Sequence, residues 1–235
     1  MFIGGLEKLT LTDFPDKTAC IVFLVNCNFK CPFCYNKELT SNNLFKKSKR
    51  KLIPEEEFFL FLKENKKMLD GVVITGGEPT LSPGLINFIK KIKTFNLLVK
   101  LDTNGSNPLI LGQLINEKLI DYIAMDIKSP LENYSSFVRS NISQKSISDS
   151  INLIKSSTIP HEFRTTLYPK LTVDDFKNMS KLIEGENWFL QEFWPTNTFS
   201  LAARKLKPMR KNKIDKIISI CSKSTNIKLR GLDKQ

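Results

Sequence analysis

The sequence predicts an α/β fold built on a parallel sheet, because strand-length apolar runs alternate with amphipathic helical segments and several helices carry clear start signals. The expected strands are Ala19 to Val25, Val72 to Thr75, Leu98 to Asp102, Tyr122 to Ile127, Glu162 to Leu167 and Phe189 to Trp194. Their nearly continuous apolar character is that of parallel strands covered on both faces. Pro54 precedes a helical segment carrying Phe58, Phe59, Phe61 and Leu62. Ser82 as N-cap and Pro83 at the first helical position introduce Leu85, Phe88, Ile89, Ile92 and Phe95, and Asn107 with Pro108 opens the next helix in the same way. Thr172-Val173-Asp174-Asp175 reads as a capping box before Phe176, Met179, Leu182 and Ile183. Pro208 begins a last helix, over about 208–222, with Ile214, Ile217, Ile218 and Cys221 on one stripe. Six βα units make either an open doubly wound sheet or an incomplete barrel, and are too few for a closed eightfold one.

The 235 residues fit one domain, and 41% hydrophobic residues supply a core. Lys and Arg number 36 against 24 Asp and Glu, a formal charge of +12 that suits an anionic partner. Thirty of the 36 are Lys, spread along the chain, and the densest group, Lys46 to Lys51, lacks interleaved aromatics. Nucleic acid is therefore not the expected partner. The N-terminus lacks a basic stretch followed by an apolar one, and no run approaches a bilayer span, so the expected location is cytoplasmic, without membrane association. Five Cys, three of them within eight residues, do not form a secreted disulfide framework.

Those three are Cys27, Cys31 and Cys34, spaced C-x₃-C-x₂-C in the loop leaving the first strand. Soft thiolates this close can hold an iron–sulfur cluster or zinc. Zinc would want a fourth ligand, from Cys20, Cys221 or His161, and would make the chain a non-catalytic interaction module. A [4Fe–4S] cluster on three Cys instead leaves one iron open to substrate or cofactor. The other unusual residues also fall at the C-terminal ends of strands, where α/β ligand sites lie. Gly76 and Gly77 in Thr75-Gly76-Gly77-Glu78-Pro79-Thr80 permit close backbone approach. Asp102-Thr103-Asn104-Gly105 is either an Asx-type turn or a polar contact for ribose or a cation. Asp126 and Lys128 share one face of a strand that otherwise reads as buried, as a ligand contact or a salt bridge.

At these positions the sequence resembles the radical S-adenosylmethionine (SAM) superfamily. Gly4-Gly5-Leu6, Thr12 to Asp16, Cys27 to Leu39, Thr75 to Leu81, Leu101 to Gly105 and Met125 to Lys128 are together similar to the activating enzymes of anaerobic ribonucleoside-triphosphate reductase, relatives of the pyruvate formate-lyase activase. The likeness spans roughly residues 1–195. It implies a partial (β/α)₆ TIM-type barrel in which Cys27, Cys31 and Cys34 hold the catalytic [4Fe–4S] cluster. Phe33 would lie near the adenine of SAM, Gly76, Gly77 and Glu78 near its amino group, and Asn104 and Lys128 in contact with it. Asp102, Thr103, Met125 and Asp126 correspond to a monovalent-cation site of the pyruvate formate-lyase relative. Arg164 would meet the SAM carboxylate or form a structural ion pair. The implied partners are a glycyl-radical enzyme, here the anaerobic ribonucleotide reductase, and a flavodoxin or ferredoxin donor. A radical SAM enzyme acting on a pyruvate formate-lyase-like protein, a small molecule or nucleic acid is the enzymatic alternative. Tyr35 departs from the His usual after the third Cys. Cys20, Cys221, Trp188 and Trp194 read as packing residues, and His161 as exposed or capping.

Overall fold

The structure, a computed structural model describing residues 1–231, is one eight-stranded sheet with helices between its strands. The strands are β1 (Ile3–Thr10), β2 (Ala19–Leu24), β3 (Gly71–Gly76), β4 (Leu98–Thr103), β5 (Tyr122–Asp126), β6 (His161–Thr166), β7 (Asn187–Gln191) and β8 (Asn226–Arg230). The helices are α1 (Asn42–Lys47), α2 (Glu55–Asn65), α3 (Leu85–Lys93), α4 (Pro108–Asn116), α5 (Tyr134–Val138), α6 (Gln144–Ser156), α7 (Val173–Leu182) and α8 (Lys211–Cys221). Strand order follows chain order from β1 to β8, with β1 antiparallel to β2 and every later pair parallel. A doubly wound sheet reverses its order at a switch point, and this one does not. Successive right-handed crossovers therefore keep the helices on one face and leave the other as a lumen, the partial-barrel alternative.

Two strands escaped the sequence reading, at the two edges of the sheet. β1 contains Gly4 and Gly5 and then the exposed Glu7 and Lys8, and β8, Asn-Ile-Lys-Leu-Arg, is exposed at Asn226, Lys228 and Leu229 and has no fully buried position. Neither has the two-sided apolar run that marks an inner strand. β7 also sits earlier than Phe189 to Trp194, ending at Gln191.

Helix starts needed two corrections. Ser82 closes a 3-10 turn over Pro79–Leu81, and α3 begins at Leu85 after Gly84, whose φ of 81° only glycine adopts without strain. The last helix begins at Lys211, not Pro208. The capping box stands: Asp175 N–H donates to Thr172 Oγ1 at 3.1 Å, and Thr172 N–H returns a bond to Asp175 Oδ2 at 2.7 Å. Asn107 caps α4 and also donates to the Thr80 carbonyl at 2.9 Å, linking two strand-end loops.

Strand alternation divides the sheet's residues between two environments. One set, including Cys20, Val22, Ile74, Leu101 and Met125, packs beneath the apolar stripes of the helices in a continuous core that contains Phe58, Phe88, Ile89 and Cys221. The alternate set faces the lumen and turns polar toward the C-terminal strand ends, where Asp102, Asp126, Arg164 and Gln191 line a cavity. Among the described residues no helix is long and apolar enough to cross a membrane.

Candidate active site

The cavity, about 430 Å³, opens at the C-terminal ends of the strands and is lined by all three motif cysteines. The cysteine loop is pinned from three directions. Asn26 N–H, at a left-handed φ of 89°, donates to the Leu39 carbonyl at 2.8 Å, and Cys27 N–H to that of Thr40 at 3.0 Å. Lys30 N–H reaches the Val138 carbonyl at the end of α5 at 2.8 Å. From the chain after β7, Phe199 N–H donates to the Cys34 carbonyl at 2.7 Å and Ser200 N–H to that of Pro32 at 3.1 Å. This last strap has no signature in the sequence, because it works through backbone groups of an irregular segment.

All three cysteines are free thiols. Burial pushes Cys27 and Cys31 up to about 12 and raises Cys34, with the Lys128 charge opposing the shift at each. The site thus keeps its sulfurs protonated until a metal displaces the protons, as soft-ligand sites do. Two donors already address the first sulfur: Phe29 N–H lies 3.3 Å from Cys27 Sγ and Asn104 Nδ2 3.8 Å from it. Among the described residues no His, Cys, Asp and Glu side chains are gathered around one point as ligands of a single ion. The proposed zinc set also fails at His161, which sits at the opposite end of β6. Its ring nitrogens engage the Ile159 carbonyl at 2.9 Å and Glu186 Oε2 at 3.0 Å. A three-Cys centre facing a cavity large enough for a further ligand fits a [4Fe–4S] cluster with an open iron.

The glycine turn after β3 is needed for packing within the protein. A Cβ on Gly77 would collide with the Asn26 carbonyl oxygen and lie 2.6 Å from its carbon, and one on Gly76, at φ 117°, would lie 3.0 Å from the Phe23 carbonyl carbon. Gly77 N–H donates to the Leu24 carbonyl at 2.8 Å and Glu78 N–H to that of Asn26 at 2.7 Å. The turn is therefore zipped to the start of the cysteine loop. Glu78 is buried, and its carboxylate binds inward. Oε1 accepts from Thr80 N–H at 3.1 Å, Thr80 Oγ1 at 2.6 Å and Thr103 Oγ1 at 2.7 Å, and Oε2 accepts from Asn104 N–H at 2.6 Å. Burial raises its pKa while these bonds oppose the rise. Glu78 thus fastens the loop after β3 to the loop after β4. Glu78→Gln would turn an NH₂ toward one of these donors, and we expect a stability loss of about 1–3 kcal/mol in denaturant melts, the cost of one buried unsatisfied donor.

Asn104 continues this linkage. Its Nδ2 donates to Asn28 Oδ1 at 3.1 Å while its Oδ1 accepts from Ser106 N–H at 2.9 Å in an Asx turn. Of the two readings of this segment, the Asx turn is formed, and the same side chain also contacts the cysteine loop, which the sequence did not suggest.

Below these loops, five charged side chains span β4, β5 and β6. Lys100 Nζ donates to Asp102 Oδ1 at 2.6 Å, and Arg164 Nη1 to Asp102 Oδ2 at 3.0 Å. Arg164 Nε donates to Asp126 Oδ1 and Lys128 Nζ to Asp126 Oδ2, both at 2.9 Å. Burial would raise both carboxylates. The Arg164 charge, joined by Lys100 at Asp102 and Lys128 at Asp126, outweighs it and holds both below their usual range. Such a depressed carboxylate stabilises the fold above its unfolded pKa of about 3.9 and ceases to do so as the pH falls through its lower folded value. Asp126→Asn apoprotein should be less stable than the native sequence at pH 7, and the gap should close below about pH 4 in denaturant melts at each pH. Lys100 was read only as part of an apolar run, although its i,i+2 spacing to Asp102 places both on one face.

Phe33 lines the cavity, packed against Phe137 and Tyr168 at centroid separations of 5.8 and 5.4 Å, with Lys128 Nζ 5.7 Å from its ring centre. Tyr35 is half exposed at the cavity rim. Trp188 is buried and donates to Thr165 Oγ1 at 2.9 Å, whereas Trp194 is exposed.

A partial α/β barrel with three free cysteines on the loop after its first parallel strand, facing a polar cavity, defines an iron–sulfur enzyme with an open coordination position. The chain belongs to the radical SAM superfamily, which it matches over residues 21–183, and its cofactors are a [4Fe–4S] cluster and SAM. It is 32% identical over 232 residues to MJ1227 of Methanocaldococcus jannaschii, named as a glycyl-radical enzyme activating enzyme, covering 94% of this chain and 92% of that one. MJ1632 of the same organism, named likewise, is 29% identical over 192 residues, covering 80% of this chain and 69% of the relative. Among solved structures, a domain of a pyruvate-formate lyase-activating enzyme from Bacteroides vulgatus superposes with a TM-score of 0.54 at 17% identity, covering 68% of this chain and 99% of that one. Streptococcus suis SuiB superposes at 0.61 and 15% identity, covering 91% of this chain, which spans about half of SuiB's length (49%). At these identities the two structures speak for the fold alone.

Proposed function

We propose that this enzyme activates a glycyl-radical enzyme, and that its partner is an anaerobic ribonucleoside-triphosphate reductase. The observation that carries the first part is the extent of the likeness to MJ1227, over 94% of this chain. Relatives named for small-molecule chemistry match less of it: 7-carboxy-7-deazaguanine synthase of Clostridium acetobutylicum over 56% and a GTP 3',8-cyclase of Pyrococcus horikoshii over 43%. The choice of reductase rests on the resemblance of Gly4 to Leu6, Thr12 to Asp16 and Cys27 to Leu39 to activases of that reductase.

When bound, the cluster and SAM would supply the radical chemistry, reductive cleavage of the sulfonium and hydrogen abstraction from a glycine of the partner. The chain's own residues bind and orient. Cys27, Cys31 and Cys34 hold the cluster, Phe33 offers an aromatic face for adenine, and the Gly76-Gly77-Glu78 turn presents backbone groups toward the amino end of SAM. Asn104 positions Cys27, and Lys128 places a positive charge between the sulfurs and Asp126. The sheet does not close between β8 and β1, which leaves room for a polypeptide to reach the cavity.

The decisive experiment incubates reduced holoprotein with SAM and the anaerobic reductase, then with a pyruvate formate-lyase-type enzyme, and records electron paramagnetic resonance (EPR) spectra. A glycyl doublet on the reductase is expected. SAM cleavage without a protein radical on either partner would overturn activation in favour of a small-molecule substrate. We also propose an acidic flavodoxin or ferredoxin donor, drawn by the +12 formal charge. The cluster reduction rate should fall as salt rises from 50 to 500 mM, and a flat response would contradict electrostatic docking.

A further inference from the structure

Asp102 and Asp126 lie where resemblance places a monovalent cation, but the residues present do not fit a metal ion. Each of the four carboxylate oxygens already receives a cationic donor: Lys100 and Arg164 at Asp102, Arg164 and Lys128 at Asp126. Two negative charges thus meet three positive ones, and a metal would enter as a fourth cation. The neighbouring oxygen is also engaged, since Thr103 Oγ1 donates to Glu78 and accepts from Gly105 N–H at 3.1 Å.

We infer that the Arg164 guanidinium is the permanent, covalently attached cation of this site, and that SAM binding in this chain is independent of sodium or potassium. Arg164 is 9% exposed and reaches from β6 across β5 to β4, with Nε on Asp126 and Nη1 on Asp102. Its planar fork fixes the spacing of three strand ends, which a spherical ion that exchanges with solvent fixes less rigidly. Arg164 is a positioning residue here, acting on the SAM cavity through Asp102 and Asp126 and leaving the SAM carboxylate to other donors. This rests on SAM being the cavity's ligand and not on the identity of the partner protein.

Two measurements test it on the full-length chain. In apoprotein, which needs neither cluster nor SAM, thallium-205 resonance reports monovalent-cation binding: the native sequence should broaden the thallous line no more than Asp126→Asn does, whereas Arg164→Ala should broaden it. In reconstituted holoprotein, SAM affinity of the native sequence should change less than about twofold between potassium, sodium and tetramethylammonium chloride at equal ionic strength, while Arg164→Ala should bind about tenfold more weakly in tetramethylammonium and recover with potassium or guanidinium ion. Arg164→Lys keeps the charge, and should stay cation-independent even if the Ala variant does not fold. Specific thallous binding by the native sequence, a potassium-specific gain in its SAM affinity, or an Arg164→Ala protein unimpaired in tetramethylammonium would each overturn the inference. Failure to activate any glycyl-radical enzyme would leave both measurements intact.

Discussion

Cys31→Ala, reconstituted anaerobically with iron and sulfide, is expected to lose SAM cleavage by more than about 100-fold, beyond the 10–100-fold typical of removing an outer-shell partner. Cys31 is buried at 6% exposure between Lys30, which is tied to α5, and Pro32, which is tied to the strap after β7. No other described thiol can replace it: Cys20 and Cys221 are buried in the helix-facing core, away from the cavity. Cys221→Ala is the informative control. It removes one sulfur from an apolar stripe, at a cost on the order of 1 kcal/mol, and should yield brown protein with native iron content. Iron and sulfide assays with the visible absorbance band check both variants. A colourless Cys221→Ala protein, or a fully loaded and active Cys31→Ala protein, would refute the ligand assignment.

The second large effect is expected at Gly77. Its missing Cβ is replaced by the Asn26 carbonyl, and Asn26 immediately precedes the first cluster ligand. Gly77→Ala must separate two backbone segments joined by the hydrogen bonds of Gly77 to Leu24 and Glu78 to Asn26. Overpacking of this kind typically costs about 1–3 kcal/mol. A displacement near 1 Å at a reacting centre can remove about 100-fold in rate. Gly84→Ala provides the contrast: its φ of 81° makes the substitution strained, but nothing lies within 4 Å of the new Cβ. It should lower stability by about 1–2 kcal/mol and leave SAM cleavage at the native rate. A Gly77→Ala protein that cleaves SAM at the native rate would mean that the contact with the cysteine loop does not set the geometry of the site.

The contiguous parts of the site were legible in the sequence because the chemistry requires residues at short spacing. Cys27, Cys31 and Cys34 belong to one loop, and Asp126 and Lys128 pair two residues apart, although β5 ends at Asp126 and Lys128 lies just beyond the strand face expected for both. The unread parts are contacts between distant segments. The strap at Phe199 and Ser200 uses main-chain groups whose side chains carry no mark. The glycines were read correctly as sites of close approach, but the approaching group is the protein's own backbone. Gly76, Gly77 and Glu78 were read as the segment that contacts the SAM amino group, and the sequence carried no sign that the Glu78 carboxylate also binds Thr103 and Asn104, a partnership the adjacency of β3 and β4 creates. Edge strands β1 and β8 stayed hidden because an edge buries too little surface to need a continuous apolar run. Arg164 was read as a SAM contact or an ion pair, and the register that sets it beside Asp126 settles the ion pair.

The most direct measurement is the EPR spectrum of the reduced holoprotein before and after SAM is added. A cluster held by Cys27, Cys31 and Cys34 with one iron free should change its g-values when SAM arrives, as the open iron gains a ligand. A spectrum that SAM leaves unchanged, in protein carrying four irons per chain, would mean that side chains already occupy every iron, and would contradict the three-cysteine site.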